Sequence, residues 1–179
     1  SNSKSDINLK KSLVLTGMMG VGKSTIGKIL AKKLSFNFID IDKLIEEKEG
    51  CSINLIFKTK SEYYFRKIET AISLNELKKK NSIIALGGGA FMNKSIRRAV
   101  LNLTVSFWLD VDINELIQRL HQSKKRPLLN KKNLRETIDK IYLDRKNIYN
   151  RANFKIKCNF SKPGVIADKI LNLYEKSGN

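Results

Sequence analysis

Gly17-Met18-Met19-Gly20-Val21-Gly22-Lys23-Ser24 fits the phosphate-cradling pattern G-x-x-x-x-G-K-[S/T] at every fixed position. The three glycines let the backbone turn so that successive N–H groups point inward at phosphate oxygens. Lys23 adds a mobile positive charge, and Ser24 offers a hydroxyl as a Mg²⁺ ligand. The flanks agree with this reading. Ser12-Leu13-Val14-Leu15-Thr16 reads as a buried strand leading in, and Ile26, Ile29, Leu30 and Leu34 recur at helical spacing leading out. A helix that starts here brings its positive dipole end under the phosphates. A glycine-rich turn could match the pattern by accident, but strand, loop and helix together point to a nucleotide binder.

Working outward, apolar β-branched runs recur at Leu13 to Thr16, Phe36 to Ile41, Ile83 to Leu86, Val105 to Leu109 and Phe154 to Cys158. Longer helical stretches separate them, which implies parallel βαβ crossovers. The expected fold is α/β: a five-stranded parallel sheet with helices on both faces, of P-loop NTPase type, with ligands at the carboxyl ends of the strands. At 179 residues the chain reads as a single domain over 9–179, preceded by a polar arm over 1–8 whose Ser1-Asn2 looks like an expression scar. The stretch 121–133 is rich in Lys, Arg, Asn and Gln and reads as a mobile lid between two helices.

Composition narrows the function further. Cys51 and Cys158 form no CxxC or Cys/His cluster and His121 is the single histidine, which argues against a zinc site. No apolar run approaches the ~20 residues of a membrane span, and no apolar export segment is visible, so a cytoplasmic location is expected. The formal charge of +18, from 35 Lys plus Arg against 17 Asp plus Glu, invites a nucleic-acid reading. The lysines, however, are spread along the chain, clustering only at Lys78-Lys79-Lys80, Lys124-Lys125 and Lys131-Lys132, with no interleaved aromatic platform for stacking. They read as solvated helix faces.

Further motifs fall where strand ends are expected. Asp40 and Asp42 close the second strand two residues apart, hence on one side if the strand continues. Arg66 and Glu69 stand at i, i+3 on a helix. Gly87-Gly88-Gly89 follows the third strand, where missing side chains let a ligand approach the backbone. Phe57 and Phe65 have a spacing compatible with one helix face. Arg126-Pro127 lies in the basic excursion, and Arg145 and Tyr149 follow on the next helix.

In this order and spacing the motifs resemble shikimate kinase, a P-loop family of the nucleoside monophosphate kinase type, over nearly the whole chain from the P-loop to Pro163. The resemblance implies a sheet order of 2-3-1-4-5 and transfer of the γ-phosphoryl group of ATP, with Mg²⁺, to the 3-hydroxyl of shikimate, in the pathway to aromatic amino acids. It implies that Asp42 holds the acceptor hydroxyl and acts as base or positioning group, and that Asp40 joins Ser24 in the magnesium environment. Gly17, Gly20, Val21, Gly22, Lys23, Ser24 and Thr25 would bind ATP. Arg119 and Pro163 would sandwich adenine. Arg126, with Lys23 and Asp42, would be catalytic, and would also bind ATP. Arg66 and Arg145 would bind substrate, Glu69 would orient an arginine, Gly87, Gly88 and Gly89 would present backbone to shikimate, and Phe57 and Phe65 would wall its pocket. One departure is visible: the adenine-side loop often carries an arginine shortly before the proline, where this chain has Ser161 and Lys162.

The chemistry supports the same assignment. Phosphoryl transfer asks for positioning and charge neutralisation more than covalent catalysis, and a guanidinium fork suits a small carboxylate acceptor. The expected partners are the small molecules ATP and shikimate, acted on by a monomer with no nucleic-acid or membrane partner. Two alternatives stand beside this reading: a P-loop kinase for another small acceptor such as gluconate or a nucleoside monophosphate, and a non-catalytic, nucleotide-responsive nucleic-acid binder.

Overall fold

A computed structural model describes residues 8–122 and 133–178. At its centre, β1 (Ser12–Thr16) is buried along its whole length, with Leu13, Val14 and Leu15 completely inaccessible. Successive strand residues point to opposite sides, so a strand buried at every position belongs to a sheet covered on both faces. Parallel neighbours flank it: β3 (Ser82–Ala85) pairs Val14 with Ile84, and β4 (Thr104–Asp110) pairs Thr16 with Trp108. The outer strands β2 (Asn37–Asp40) and β5 (Phe154–Lys157) complete the order β2-β3-β1-β4-β5. This is the five-stranded parallel sheet expected, in the expected order. On the edge strand β5, Lys155 and Lys157 are exposed, and such charged side chains discourage a further strand from pairing there.

Eight helices connect and cover the strands: α1 (Lys23–Leu34), α2 (Ile41–Glu49), α3 (Ile53–Thr59), α4 (Glu62–Leu77), α5 (Lys94–Leu103), α6 (Ile113–Gln122), α7 (Leu134–Tyr149) and α8 (Pro163–Lys176), counted over the described residues. Helix α1 packs against α8, and α4 against α5. The Tyr174 hydroxyl of α8 donates to the Lys11 carbonyl at 2.6 Å, tying the last helix to the chain entering β1. Of the expected N-terminal arm, residues 1–7 lie outside the described residues.

Two element boundaries differ from the sequence reading. The second strand stops at Asp40 instead of running through Ile41, because the Asp40 Oδ1 accepts the Lys43 N–H at 3.2 Å and so caps α2. Asp42 therefore lies in the first turn of a helix and is not on a continued strand. Phe57 and Phe65 do not share one helix face either. Ser61 accepts the Tyr64 N–H at 3.0 Å and starts a new helix, so the two rings meet across the α3–α4 corner, with centroids 4.9 Å apart.

Candidate active site

The phosphate loop joins β1 to α1 at the carboxyl edge of the sheet. Gly22 is the N-cap of α1 with φ at 102°, a left-handed conformation open to glycine and costly for other residues. No side chain caps this helix, so its first N–H groups are left for an anion. The Lys23 ammonium donates to the carbonyls of Gly17 and Met18, so it lies across the loop. Thr25 is exposed on the first helical turn, and Val21 is buried.

Ser24 Oγ donates to Asp40 Oδ2 at 2.6 Å. Asp40 thus divides its carboxylate, one oxygen capping α2 and the other facing the P-loop hydroxyl. Among the described residues no three His, Cys, Asp or Glu side chains gather as a metal cage. A hydroxyl beside one carboxylate, all hard oxygen, is the donor set that suits Mg²⁺ held jointly with phosphates and water.

Across the loop, Gly87 to Gly89 form a ridge with side chains pressed against it. A Cβ at Gly87 would lie 2.6 Å from Asp42 Oδ1 and 3.2 Å from Glu69 Oε2; at Gly89 it would lie 2.7 Å from Arg66 Nη2. At Gly88 it would lie 3.3 Å from Arg145 Nη1 and 3.5 Å from the Met19 backbone nitrogen. Asp42, Glu69, Arg66 and Arg145 therefore converge on one glycine segment, which itself abuts the phosphate loop. Arg66 Nη1 donates to Glu69 Oε1 at 2.8 Å. Glu69 is only 2% exposed, which sets this pair apart from an ordinary solvated helix pair. Burial pushes the Glu69 carboxyl above its ordinary range, with Arg66 pulling the other way.

Tyr149 supports the ridge from behind. Its hydroxyl donates to the Gly88 carbonyl and lies 3.4 Å from Arg145 Nη1, and its ring stacks on Trp108 at 5.7 Å. Burial raises the Tyr149 phenol above its ordinary range, so the hydroxyl keeps the proton it donates. Phe65 is buried in the core and Phe57 half-buried beside it, so of the two rings Phe57 is the more accessible to a pocket.

On the other flank, Arg119 Nη1 donates to the carbonyls of Val21 at 3.1 Å and Gly20 at 3.4 Å, and its Nη2 to Glu115 Oε1 at 2.6 Å. The second Glu115 oxygen accepts the Phe160 N–H at 2.9 Å. Pro163 opens α8 at its first turn, where its missing N–H costs nothing. The loop leading to Pro163 is thus tethered to Arg119 through one buried carboxylate. Arg126 and positions 123–132 of the expected lid fall outside the described residues.

A separate cleft of about 490 Å³ opens beside β4, β5 and α7. Part of its polar lining is internally paired: Lys155 with Asp110 at 3.5 Å, and Arg135 donating to Asn114 at 2.8 Å. No glycine lines it, and the start of α6 at its edge is already met by an acid, the Asn114 N–H donating to Asp112 Oδ1 at 2.9 Å, so the geometry favours the P-loop side for an anion.

Residues 19–175 match the family described as shikimate kinase. A shikimate kinase of Sulfurihydrogenibium sp. is 41% identical over 161 residues, spanning 90% of this chain and 96% of that protein. One from Bartonella henselae is 40% identical over 90% of this chain and 77% of its own length. Among solved structures, the Acinetobacter baumannii shikimate kinase in complex with shikimate superposes with a TM-score of 0.88 at 31% identity, over 93% of this chain and 94% of that one. The chain belongs to the shikimate kinase family. A gluconokinase from Sinorhizobium meliloti superposes with a TM-score of 0.60 at 16% identity, over 93% of this chain and 92% of its own, which shows a shared fold alone.

Within this shikimate kinase framework, two contacts were beyond the sequence reading. Glu115 stands at i, i+4 to Arg119 on α6, a spacing that signals a helix pair, but its second partner lies 45 residues away. Arg97, 8% exposed, donates to the carbonyls of Phe91 and Met92 at 3.0 and 3.2 Å, pinning the turn that follows the glycine ridge. Cys158 is not placed for chemistry: it is buried, and burial pushes its thiol up to about 11.

Proposed function

We propose that this shikimate kinase uses ATP to phosphorylate the 3-hydroxyl of shikimate, giving shikimate 3-phosphate and ADP. The observation that carries the reading is at Gly88, where a Cβ would lie close to both Arg145 Nη1, at 3.3 Å, and the Met19 backbone nitrogen of the phosphate loop, at 3.5 Å. An acceptor resting on that ridge would be held within reach of the phosphate donor by a carboxylate-binding guanidinium.

Each residue then has a part. Arg66 and Arg145 grip the acceptor carboxylate, with Glu69 and Tyr149 fixing their forks. Gly87, Gly88 and Gly89 admit the ring edge, which the Phe57 side chain borders. Asp42 holds the 3-hydroxyl and takes its proton as the new O–P bond forms and the bond from Pγ to the departing ADP oxygen breaks. Lys23 and the loop N–H groups neutralise the charge on the phosphates, and Gly17, Gly20, Val21, Gly22 and Thr25 complete their cradle. Ser24 and Asp40 would hold Mg²⁺, which when bound spreads the negative charge of the triphosphate. Arg119 and Pro163 border the adenine, and Arg126, assigned by family resemblance, adds a charge over the transferring group. Residues 9–179 act as one domain with a lid at 121–133, working as a cytoplasmic monomer on free small molecules.

The grip on the carboxylate is testable apart from the phosphate site. Arg145→Lys should raise the KM for shikimate roughly tenfold or more, because an ammonium cannot reproduce a bidentate fork. The KM for ATP should stay unchanged. Steady-state kinetics in both substrates checks this, and unchanged shikimate kinetics would remove Arg145 from the acceptor site. The reading as a whole requires ADP release that depends on shikimate; release at the same rate without it would overturn it.

A further inference from the structure

Asn93 closes the short turn Ala90–Met92 that follows the glycine ridge, and it is also the N-cap of α5. Its Oδ1 accepts the Ile96 N–H at 3.0 Å, the capping contact of that helix. A backbone N–H can only donate, so this contact fixes which end of the amide is oxygen and leaves Nδ2 for a second partner. Nδ2 donates to Thr70 Oγ1 at 3.2 Å, and the Thr70 hydroxyl donates in turn to the Arg66 carbonyl at 2.7 Å. Capping alone does not call for an amide. Aspartate caps equally well, and α5 has no acid in its first turn to meet the helix dipole. The amide nitrogen is therefore extra to the cap, and its contact falls on the residue that supports Arg66.

These contacts close a circuit that starts and ends at Gly89. The Met92 N–H donates to the Gly89 carbonyl at 3.1 Å, and Asn93 is the next residue. From Asn93 the path runs through Thr70 to the Arg66 backbone. The Arg66 guanidinium then returns to the ridge, its Nη2 lying 2.7 Å from where a Gly89 Cβ would stand. Both ends of the circuit are fastened. On the turn, buried Arg97 donates to the Phe91 and Met92 carbonyls, and the Asn93 N–H donates to the Ala90 carbonyl at 3.0 Å. On α4, Glu69 holds the guanidinium from within the same helix. The distance from α4 to the ridge is what neither end sets by itself, and the Asn93–Thr70 hydrogen bond spans it.

We propose that Asn93 is a positioning residue for acceptor binding: through Thr70 it sets the spacing between the Arg66 guanidinium and the glycine ridge, and so the width of the slot that takes the acceptor carboxylate. This rests on the reading of Arg66 as a carboxylate-binding residue. Asn93 acts through Arg66 and not on the reacting atoms. The carboxylate is held alike before and during transfer, so the effect falls on KM for the acceptor and not on kcat.

The test uses Asn93→Asp, which keeps the capping oxygen and loses the donor, and Thr70→Val, which removes the hydroxyl between Asn93 and Arg66 with little change of shape. Each should raise the KM for shikimate about three- to tenfold, the size of one lost hydrogen bond. The kcat and the KM for ATP should stay unchanged, with a melting temperature within about 4 °C of that of the parent protein. Combining the two substitutions should cost no more than the worse one alone, because both break the same link. Thr70→Ser, which keeps the hydroxyl, should match the parent protein. Unchanged shikimate KM in both single variants, full additivity in the double variant, or a loss spread over kcat and both KM values would overturn the proposal. Arg66→Lys separates this from the reading on which it rests. An unchanged shikimate KM in Arg66→Lys would overturn Arg66 as a carboxylate-binding residue, whereas a raised one there beside an unchanged one in Asn93→Asp and Thr70→Val would overturn the role of Asn93 alone.

Discussion

Lys23→Ala should lower turnover by roughly 10²–10³-fold or more, the range expected when a donor aimed at transition-state charge is removed, while the fold persists. The two halves of this expectation have different causes. Turnover falls because Lys23 is the cation built into the phosphate loop, and phosphoryl transfer depends on neutralising charge as it redistributes. The fold persists because Lys23 is not among the buried core residues, and its hydrogen bonds to the Gly17 and Met18 carbonyls tie it to the loop backbone. Lys23 is also the first residue of α1, where a positive charge opposes the helix dipole and alanine is the better helix former. The stability change should therefore stay within about 1 kcal/mol in either direction. Turnover assays paired with thermal melts separate the two, and near-normal activity would remove the loop from the chemistry.

Asp42→Asn should cost turnover far more than shikimate binding, with kcat down by roughly 10²–10⁴-fold, the range for loss of a positioned base, against a small rise in KM. The amide is nearly the same size as the carboxylate, and size matters where Asp42 Oδ1 sits 2.6 Å from the Cβ position of Gly87. It can still hydrogen-bond the acceptor hydroxyl but cannot take its proton. Asp40→Asn is the control. Asparagine still caps α2 well, so that variant loses charge near Ser24 and should respond to added Mg²⁺. Equal losses in both variants, both cured by raising Mg²⁺, would make the two carboxylates a metal site and take the proton-transfer role from Asp42.

The parts of this account legible in the sequence are those encoded by short-range pattern. The P-loop announces itself because glycine, lysine and serine at fixed spacing have few other uses together, and the buried strand before it follows from an unbroken apolar run. What spacing hid were residues serving two elements at once. Asp40 reads equally as a strand-end acid and as a helix cap, and the structure uses it as both, so the fate of Asp42 could not follow from pleat alternation. Ser61 likewise interrupts what apolar periodicity allows as one helix between Phe57 and Phe65.

Long-range contacts lay further out of reach. Tyr149 supports Gly88 across 61 residues, and Glu115 reaches Phe160 across 45. In each case local sequence shows only a helix residue with an arginine at i±4, a pattern with many bland explanations. The burial of Glu69 was similarly invisible, and burial is what converts Arg66–Glu69 from a surface pair into a fixed support for the ridge.

The central claim is a pocket shaped for a cyclic carboxylate acceptor beside a phosphate loop, and acceptor choice tests it most directly. A site working only through its basic field, on a chain of net charge +18, should favour the more highly charged AMP. A site with two oriented guanidiniums and a glycine ridge should reject AMP on shape and favour shikimate over open-chain gluconate. The deciding measurement is kcat/KM for the three acceptors with saturating ATP and Mg²⁺. Shikimate ahead of both gluconate and AMP by at least tenfold is the result expected; comparable values for all three, or AMP in the lead, would contradict the shikimate assignment and leave a generic small-molecule kinase.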